Sequence, residues 1–433
     1  MTRAIAFDVT HLTHRVHYPA PAGIEKVDMA YARYFSDNPG ALTAAVHYGL
    51  GEPVLFGPGH VGKIVAAIGG RWQENLPVED DEKYQRIRSW LLGLTNVLPR
   101  EKKRETIRLS LTANGLSLLR MAKQSLLRDR AQSLPEGAIY LNIAQHGLEF
   151  DLFFEWLTRR RDLQKVFFIH DLLPLDHPEF WPSGHKAIFQ KRIDCALKHG
   201  TGFLTSSFSV RNRLQKELSL HGRRHVPIFA HPLLPTLNAL GTPDLSDGDL
   251  RDIPYFLMIA TIEPRKNHLL ILNIWRELAA RGGAVPKLIL VGKRGWMNEH
   301  ILHVLDQAST LSAHVAEVSG LGNAALKKLI VNARAVLMPS HAEGFGLPVV
   351  DALSAGTPVV ASDIPALREA SNGNAIFRHP IDAAGWLSAI EQLSDSANAF
   401  AGDARAGAAA FQTTSAPEYF AEVKSFLYAL NRT

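Results

Sequence analysis

The segment that most clearly indicates the fold is Pro339-Ser-His-Ala-Glu-Gly-Phe-Gly-Leu-Pro-Val-Val-Asp-Ala-Leu-Ser-Ala-Gly-Thr-Pro358. It follows Ala335–Met338, a short apolar run that predicts a buried strand. Glycines fill the next loop, and Pro348 marks the start of a helix. A strand, a glycine-rich loop and a helix in this order belong to a parallel α/β unit, whose helix start favours an anion.

The same alternation of apolar runs and helical patterns extends along most of the chain, which predicts two doubly wound domains. The runs are apolar at consecutive positions, as in strands covered on both faces. The predicted strands are Ala4–Val9, Leu42–Tyr48, Ala138–Ile143, Val166–Ile169, Gly202–Thr205, Val226–Phe229, Tyr255–Ile259, Lys287–Val291, Val315–Val318, Ala335–Met338 and Pro358–Ala361.

We expect the domains to divide at a segment rich in Gly, Pro, Ser and Asp. The expected parts are a first domain of residues 1–240, a linker of 241–254, a second domain of 255–410, and a C-terminal helix in 411–433 that packs back on the first domain. Two such domains leave a central cleft between the carboxyl ends of their sheets, where ligands bind.

Composition narrows the class of protein. The chain has 433 residues, of which 46% are hydrophobic and 21% charged, so it is neither disordered nor collagen-like. Its single cysteine, Cys195, excludes a disulfide framework and an all-cysteine zinc site. No apolar run reaches the ~18 residues of a membrane span, and the first residues lack a signal-peptide core, so we expect a cytoplasmic protein.

Residues 70–134 interrupt the alternation and predict a helical insertion in the first domain, with helices such as Lys83–Leu92 and Thr106–Leu127. Within it, Arg100–Arg130 has nine basic and three acidic residues, a net charge of +6 against +5 for the whole chain. Leucines lie among these charges. The segment is either an amphipathic surface that meets an anionic membrane or a lipid pyrophosphate, or a solvated helical insertion. Aromatic residues are not interleaved with the basic ones, so nucleic-acid binding is not expected.

Two groups of charged residues in the second domain predict a ligand site. Glu343 follows a strand, and Asp351 lies eight residues later in the next helix, so both carboxylates could accept hydrogen bonds from one polyhydroxy ligand. Arg265 and Lys266 follow another strand and open a helix, where they could neutralise a diphosphate. Hydroxyl-accepting carboxylates and a phosphate clamp in one domain indicate a nucleotide-sugar. The alternative is that Glu343 and Asp351 only complement helix starts.

The first domain contributes three further candidates. Gly23 lies in a loop after the first strand, before a helix from Ile24, and His170 and Asp171 follow Val166–Ile169 at an edge that faces the same cleft. The alternatives are a turn glycine and a structural histidine.

Two patterns imitate metal sites. His11, His14 and His17 recur every third residue, but we expect a loop there, with loop or acceptor contacts rather than a helical ligand face. Asp247-Gly-Asp249 lies in the linker without a preceding strand, so we expect solvated turn residues. No metal and no cofactor are predicted.

The motifs together resemble the retaining glycosyltransferases of family 4, which have the GT-B fold. Glu343–Asp351 resembles the family's E-x7-E motif, with Asp in the second place, and Ile262–Asn267 resembles its phosphate-binding turn. Val291–Trp296 and Ala361–Glu369 are also similar to the family, particularly to members that build bacterial surface polysaccharides. The resemblance implies an α/β protein of two Rossmann-like domains that face a central cleft.

The resemblance also assigns roles. Catalytic roles are implied for Glu343, His170, Asp171, Lys266 and Arg265. Donor contacts are implied for Gly23, Arg265, Lys266, Glu343, Gly344, Phe345, Gly346, Leu347, Asp351, Lys293 and Leu321. Asp351 would accept from the nucleotide ribose, although it is shorter than glutamate by about 1.5 Å.

The implied activity is transfer of a hexose from a nucleotide-diphosphate sugar, GDP-mannose first and UDP-sugars as alternatives, to a growing and lipid-linked bacterial polysaccharide. Transfer with retention implies front-face attack, with double displacement through Glu343 or Asp351 as the competing mechanism. The alternative functions are transfer to a soluble small molecule and non-catalytic binding of a sugar nucleotide. A lipid-linked acceptor would place the protein at the inner face of the cell membrane.

Overall fold

The computed structural model describes residues 3–15, 21, 23–48, 53–72, 76–95, 133–237 and 245–430. These residues form two α/β domains, each built around one sheet. The strands of the first sheet are β1 Ile5–Asp8, β2 Ala44–His47, β3 Val54–Phe56, β4 Ile139–Asn142, β5 Gln164–Ile169, β6 Gly202–Thr205 and β7 Ile228–Ala230. Those of the second are β8 Tyr255–Ile259, β9 Lys287–Val291, β10 Val315–Val318, β11 Ala335–Met338, β12 Val359–Ser362 and β13 Ile376–Arg378.

Helices cover both faces of each sheet, which explains why β1, β4, β5, β6, β11 and β12 are buried at every position. In the first half they are α1 Thr10–Arg15, α2 Gly23–Asp37, α3 Gly59–Arg71, α4 Glu82–Leu91, α5 Glu155–Arg159, α6 Leu173–Asp176, α7 His185–His199 and α8 Phe208–Leu220. In the second half they are α9 His268–Arg281, α10 Glu299–Gln307, α11 Asn323–Asn332, α12 Leu347–Ser354, α13 Pro365–Ser371, α14 Ala383–Ser394, α15 Ala399–Ala409 and α16 Ala416–Ala429.

Strand order fixes where a ligand crevice can form. The first sheet runs β3-β2-β1-β4-β5-β6-β7 and the second β10-β9-β8-β11-β12-β13. The direction of winding therefore reverses between β1 and β4 and between β8 and β11. In doubly wound sheets ligands bind beyond the carboxyl ends of the strands at these switch points. The loops after β8 and β11 contain Arg265, Lys266 and Glu343.

The predicted α/β architecture is confirmed, and five predicted strands of the described chain have the observed bounds. Two strands were not predicted, Val54–Phe56 and Ile376–Arg378. Val54–Phe56 is also antiparallel to β2, so the first sheet is mixed rather than wholly parallel. Both are three-residue strands at the edge of a sheet, too short to give a periodic pattern.

Two local predictions were wrong. His11 and His14 lie on a helix, α1, which begins two residues after β1; His17 lies outside the described residues. Asp247 is not a solvated turn residue, because it is buried and accepts a hydrogen bond of 3.0 Å from Arg88. Asp249 is exposed, as predicted.

Chain segments cross between the domains in both directions. Helix α16 packs on the first domain, where the Tyr419 and Tyr31 hydroxyls are 2.9 Å apart and the Phe420 and Tyr34 rings stack at 4.2 Å. Helix α4, from the predicted insertion, contacts the second domain: Lys287 lies 4.6 Å from the centroid of the buried Trp90 ring.

The basic segment Arg100–Arg130 lies outside the described residues. Among the residues that the structure does describe, no helix is both long and apolar enough to cross a bilayer.

Candidate donor site

A buried ion cluster joins the loops after β8 and β11. Arg265 donates to Glu343 over 2.8 Å and to Glu263 over 2.7 Å, and Lys266 donates to the other oxygen of Glu343. Arg265 also donates to the carbonyl of Ala342 over 2.7 Å. The structure thus brings together three predicted site residues that are 77 and 78 positions apart in sequence.

The charges of this cluster determine its protonation state. Burial alone would raise the pKa of Glu343, but Arg265 and Lys266 outweigh it and lower that pKa to about 2. Burial, together with the positive charge of Arg265, lowers the pKa of Lys266. Glu343 is therefore a carboxylate at neutral pH. The cations of Arg265 and Lys266 are balanced by the carboxylates of Glu343 and Glu263, so an anionic ligand has to compete with Glu343 for them.

The local sequence explains how Glu343 is held. Gly346 has φ +118°, a backbone conformation that side chains other than glycine rarely adopt, and it is the cap of helix α12. Phe345 is 5% exposed and belongs to the core beneath the loop. Leu347 begins α12, so the loop turns directly from the strand into the helix.

Gly344 is the point at which the two domains meet. A Cβ at this position would lie 2.7 Å from the His170 carbonyl oxygen and 2.8 Å from the Asp171 Cβ, both closer than atoms can approach. Ser207, from the first domain, donates to the Gly344 carbonyl over 2.9 Å. The predicted first-domain residues His170 and Asp171 therefore lie against the loop that holds Glu343.

His170 is neutral in this environment. Burial lowers its pKa to about 4. Its Nε2–H donates to the Ile143 carbonyl over 2.7 Å, which leaves Nδ1 as the unprotonated nitrogen, and its ring stacks on Phe168 at 4.5 Å. Asp171 accepts from the Leu173 amide over 3.0 Å, and burial raises the pKa of Asp171 although Arg265 opposes the effect. Both residues are held by the backbone of the first domain.

Asp351 occupies a different environment from the one that the sequence implied. It is 5% exposed and accepts hydrogen bonds from the Thr236 amide over 2.6 Å, the Thr236 hydroxyl over 2.7 Å and the Leu237 amide over 3.3 Å. Lys26 lies 3.9 Å from its second oxygen. Both carboxylate oxygens are therefore used within the protein.

The predicted donor-binding residues that remain are Gly23, Lys293 and Leu321. Gly23 is the first residue of α2 rather than part of a loop, and a Cβ there would only meet Leu347 at an ordinary 3.8 Å. Lys293 is exposed on the loop after β9. Its neighbour Arg294 is tied to Glu317 over 2.7 Å and to Asp306 over 2.9 Å. Leu321 is half-buried in the loop after β10.

Sequence reasoning missed the contacts that reach the Leu321 loop from α4. Lys83 donates to the carbonyls of Ser319 and Gly320 over 2.7 and 3.2 Å, and Asp81 accepts from the Gly322 amide over 2.8 Å. Asp81 also caps α4 by accepting from two of its amides. An Asp before a helical run is the usual sign of a cap, but nothing in the sequence shows its second partner 241 residues away.

A second group is a set of histidines at the carboxyl edge of the first sheet. Sequence reasoning named His11 and His14 but missed His47 and His146. The His14 ring lies 5.0 Å from that of His146 and 6.2 Å from that of His47, and His11 bonds the buried Asp28 over 3.0 Å. Burial lowers the pKa of His47 and of His146 to about 4. The spacing of His11 and His14 was the available signal. These polar rings lie at the first domain's switch point, where an acceptor could bind.

Comparison with known proteins shows that the chain is similar to glycosyltransferases. Residues 249–401 match the family model described as glycosyl transferases group 1. The Escherichia coli serotype-specific mannosyltransferase WbdA is 29% identical over 248 residues, which are 52% of this chain and 30% of WbdA. The O-antigen chain mannosyltransferase RfbU of Salmonella typhimurium is 27% identical over 238 residues, 54% of this chain and 62% of RfbU. The chain thus spans less than two thirds of the length of either relative.

Solved structures resemble the whole chain. HepE from Anabaena, in complex with UDP and glucose, has a TM-score of 0.60 at 15% identity, covering 99% of this chain and 100% of HepE. TarM from S. aureus has a TM-score of 0.60 at 13% identity, with the same coverage. At these low sequence identities, the similarity is evidence for the fold and not for the activity. The chain has the GT-B fold, and residues 249–401, which include the cluster of Glu343, Arg265 and Lys266, match the glycosyl transferases group 1 model.

Proposed function

We propose that the protein is a retaining, metal-independent glycosyltransferase that transfers mannose from GDP-mannose to a growing, lipid-linked bacterial polysaccharide. The observation that carries the proposal is the buried contact of Glu343 with Arg265 and Lys266 within a domain of a glycosyltransferase family. The choice of mannose and of a polysaccharide acceptor follows the names of WbdA and RfbU.

The donor would enter by exchanging partners within the ion cluster. Its diphosphate would take Arg265 and Lys266, Arg as a planar fork and Lys as a compact charge. Glu343 would then be released from Lys266 and accept hydrogen bonds from hydroxyls of the sugar. Because the cluster is buried, these hydrogen bonds would stabilise the bound donor more than the same hydrogen bonds in water. The amides of Gly344–Leu347 would face the sugar and phosphate at the start of α12.

Transfer would occur on the front face of the sugar, with the departing diphosphate taking the proton of the acceptor hydroxyl. Arg265 and Lys266 would stabilise the negative charge that develops on this leaving group. Two features favour this route over double displacement. Glu343 would be occupied by the sugar hydroxyls once the donor is bound, and both oxygens of Asp351 are used by Thr236 and Leu237. His170 and Asp171 would position the acceptor, His170 with an unprotonated Nδ1.

The acceptor would bind on the first domain, beside the histidines at its switch point. A lipid-linked acceptor would bring the enzyme to the inner face of the membrane through Arg100–Arg130. Transfer to a soluble molecule would require no such surface.

A panel of GDP-mannose, GDP, UDP-glucose and UDP tests the proposal, each followed by thermal shift and by release of the nucleotide diphosphate. We expect a shift of several degrees and slow release of GDP from GDP-mannose, both lost in Lys266→Ala. The product made with a synthetic lipid-linked saccharide should have the donor's anomeric configuration, and chelators should not stop the reaction. Binding without any release would favour a non-catalytic subunit, and no shift with any nucleotide would refute a donor site.

A further inference from the structure

A cluster of metal-binding side chains lies in the first domain, away from the cleft. Asp151, Cys195 and His199 each offer one potential ligand atom, and these three atoms all lie within 4.8 Å of one another. Cys195 and His199 lie in the last two turns of α7, and β6 begins three residues after His199. The cluster is therefore at the amino edge of the first sheet, opposite to the edge that faces the second domain.

Local geometry explains why these three residues meet. Cys195 and His199 are four residues apart, so they lie on the same face of the helix one turn from each other. Asp151 opens the short 3-10 helix Asp151–Phe154, which packs along that face. Cys195 and His199 are buried, whereas Asp151 is exposed on the solvent side. The cluster therefore has two buried members and one that solvent reaches.

The distance between His199 and Asp151 suits a small tetrahedral ion. The Nε2–H of His199 donates to Asp151 Oδ1 over 3.1 Å, and the Cys195 Sγ lies within 4.8 Å of the ligand atoms of both residues. Two ligands about 2.0–2.1 Å from a tetrahedral Zn²⁺ are separated by roughly 3.3 Å. An ion could therefore replace the proton between His199 and Asp151 with little movement of either side chain.

We propose that Asp151, Cys195 and His199 bind a Zn²⁺ ion, with water as the fourth ligand on the exposed side. One thiolate, one neutral imidazole and one carboxylate form a donor set that Zn²⁺ accepts. The Sγ–Zn bond replaces the S–H bond of Cys195, whose proton leaves to solvent, and the proton on His199 Nε2 moves to Nδ1. Two negative ligands neutralise the charge of the ion.

Lys198 is the neighbour that could oppose binding. Its ammonium donates to Asp151 over 2.6 Å, but to Oδ2 rather than to Oδ1, which faces His199. Lys198 can therefore stay in place as a hydrogen-bond donor to the ligating carboxylate. An Asp151–Lys198 ion pair accounts for the carboxylate but not for a buried thiol and a buried imidazole whose ligand atoms lie within 4.8 Å of it.

Cobalt provides the test, because a thiolate bound to Co²⁺ has a near-ultraviolet charge-transfer absorption and Cys195 is the sole cysteine of the sequence. Reduced, metal-free protein without a polyhistidine tag is titrated with Co²⁺ and then with Zn²⁺. We expect the absorption to saturate at one ion per chain and to disappear as Zn²⁺ displaces Co²⁺. Cys195→Ser should lose the absorption, and His199→Asn should weaken binding by at least about tenfold.

Lys198→Ala is the matched control on the same helix and should keep the absorption. If Cys195→Ser does not fold, the wild-type titration and the His199→Asn comparison decide. Folded wild-type protein that shows no thiolate absorption in excess Co²⁺ would overturn the proposal, and so would equal affinity in wild type and His199→Asn. Neither outcome depends on a glycosyl donor, so the test is independent of the proposed function.

Discussion

Asp351, in the first helix after the Glu343 loop, accepts two hydrogen bonds from Thr236, one from the amide at 2.6 Å and one from the hydroxyl at 2.7 Å. Thr236 belongs to the segment that connects the two domains. Lys26, from α2 of the first domain, donates to the same hydroxyl over 3.0 Å. One carboxylate thus joins helix α12, the connection and the first domain.

Replacing Asp351 should therefore affect stability first. Asp351→Ala leaves the half-buried Thr236 amide and the buried Leu237 amide without their acceptor, and we expect the free energy of unfolding to fall by about 3 kcal/mol. Thr236→Val removes only the hydroxyl and should cost about 1 kcal/mol. Urea unfolding of both variants measures this. A variant Asp351→Ala with wild-type stability but a raised KM for the donor would show that the carboxylate serves the nucleotide instead.

Gly344 should not tolerate a side chain. An alanine Cβ there would meet the His170 carbonyl at 2.7 Å, and backbone cannot yield as a flexible side chain can. We expect Gly344→Ala to push the Glu343 loop away from the first domain and lower kcat/KM by about a hundredfold, the scale of a 1 Å misplacement. Gly402→Ala is the control, because nothing lies within 4 Å of the added atom. Equal kcat/KM for Gly344→Ala and wild type would show that the domains do not meet this way in turnover.

Asp81 should couple α4 to the loop that contains Leu321. Asp81→Ala removes both the cap of α4 and the partner of the Gly322 amide, so we expect a loss of about 2 kcal/mol in stability. If the Leu321 loop contacts the nucleotide base, the KM for the donor rises as well while kcat changes little. Steady-state kinetics at 25 °C and urea unfolding separate the two effects. Glu82→Ala, at the exposed next position, should leave the donor KM unchanged.

Stability should fall in mild acid because histidines are buried in neutral form. Burial, with the charge of Lys266, lowers the pKa of His268 to about 3 from its usual 6.5. The unfolded chain binds the proton below pH 6.5 and the folded chain does not, so the stability present at pH 7 declines as the pH falls toward 3. At pH 5 this one histidine should cost about 2 kcal/mol.

His268→Leu removes that titration. Its urea midpoint should therefore depend less on pH between 7 and 5 than that of the wild-type protein. His379→Leu serves as a comparison, since His379 is exposed. An identical pH dependence in His268→Leu and wild type would show that His268 is not buried as a neutral ring.

Much of the fold followed from the sequence because buried strands are apolar on both faces. Lys287–Val291 and Ala335–Met338 were predicted at their observed bounds for this reason. Val54–Phe56 was missed because a three-residue edge strand has no such pattern. The pairing of Glu343 with Arg265 and Lys266 could be anticipated, since each follows a strand at the same sheet edge. The partner of Asp351 could not, because Thr236 lies 115 residues away in a segment without periodicity.

Two substitutions in the ion cluster should have opposite effects on GDP binding. Lys266→Ala removes a cation that a diphosphate would use, so it should weaken binding of GDP. Glu343→Gln removes the carboxylate that competes for Lys266 and Arg265, so GDP should bind at least as tightly as to wild type. The same Glu343→Gln change should lower kcat/KM by about a hundredfold or more, because the proposed donor site uses this carboxylate to accept hydrogen bonds from the sugar.

Calorimetric titration of GDP into the wild-type protein, Lys266→Ala and Glu343→Gln is the most direct test of a donor site at this cluster. We expect the affinity for GDP to be at least about tenfold weaker in Lys266→Ala, equivalent to about 1.4 kcal/mol. In Glu343→Gln we expect the affinity for GDP to be no weaker than in the wild-type protein. Equal affinity for GDP in Lys266→Ala and wild type, with both proteins folded, would contradict a donor site at this cluster.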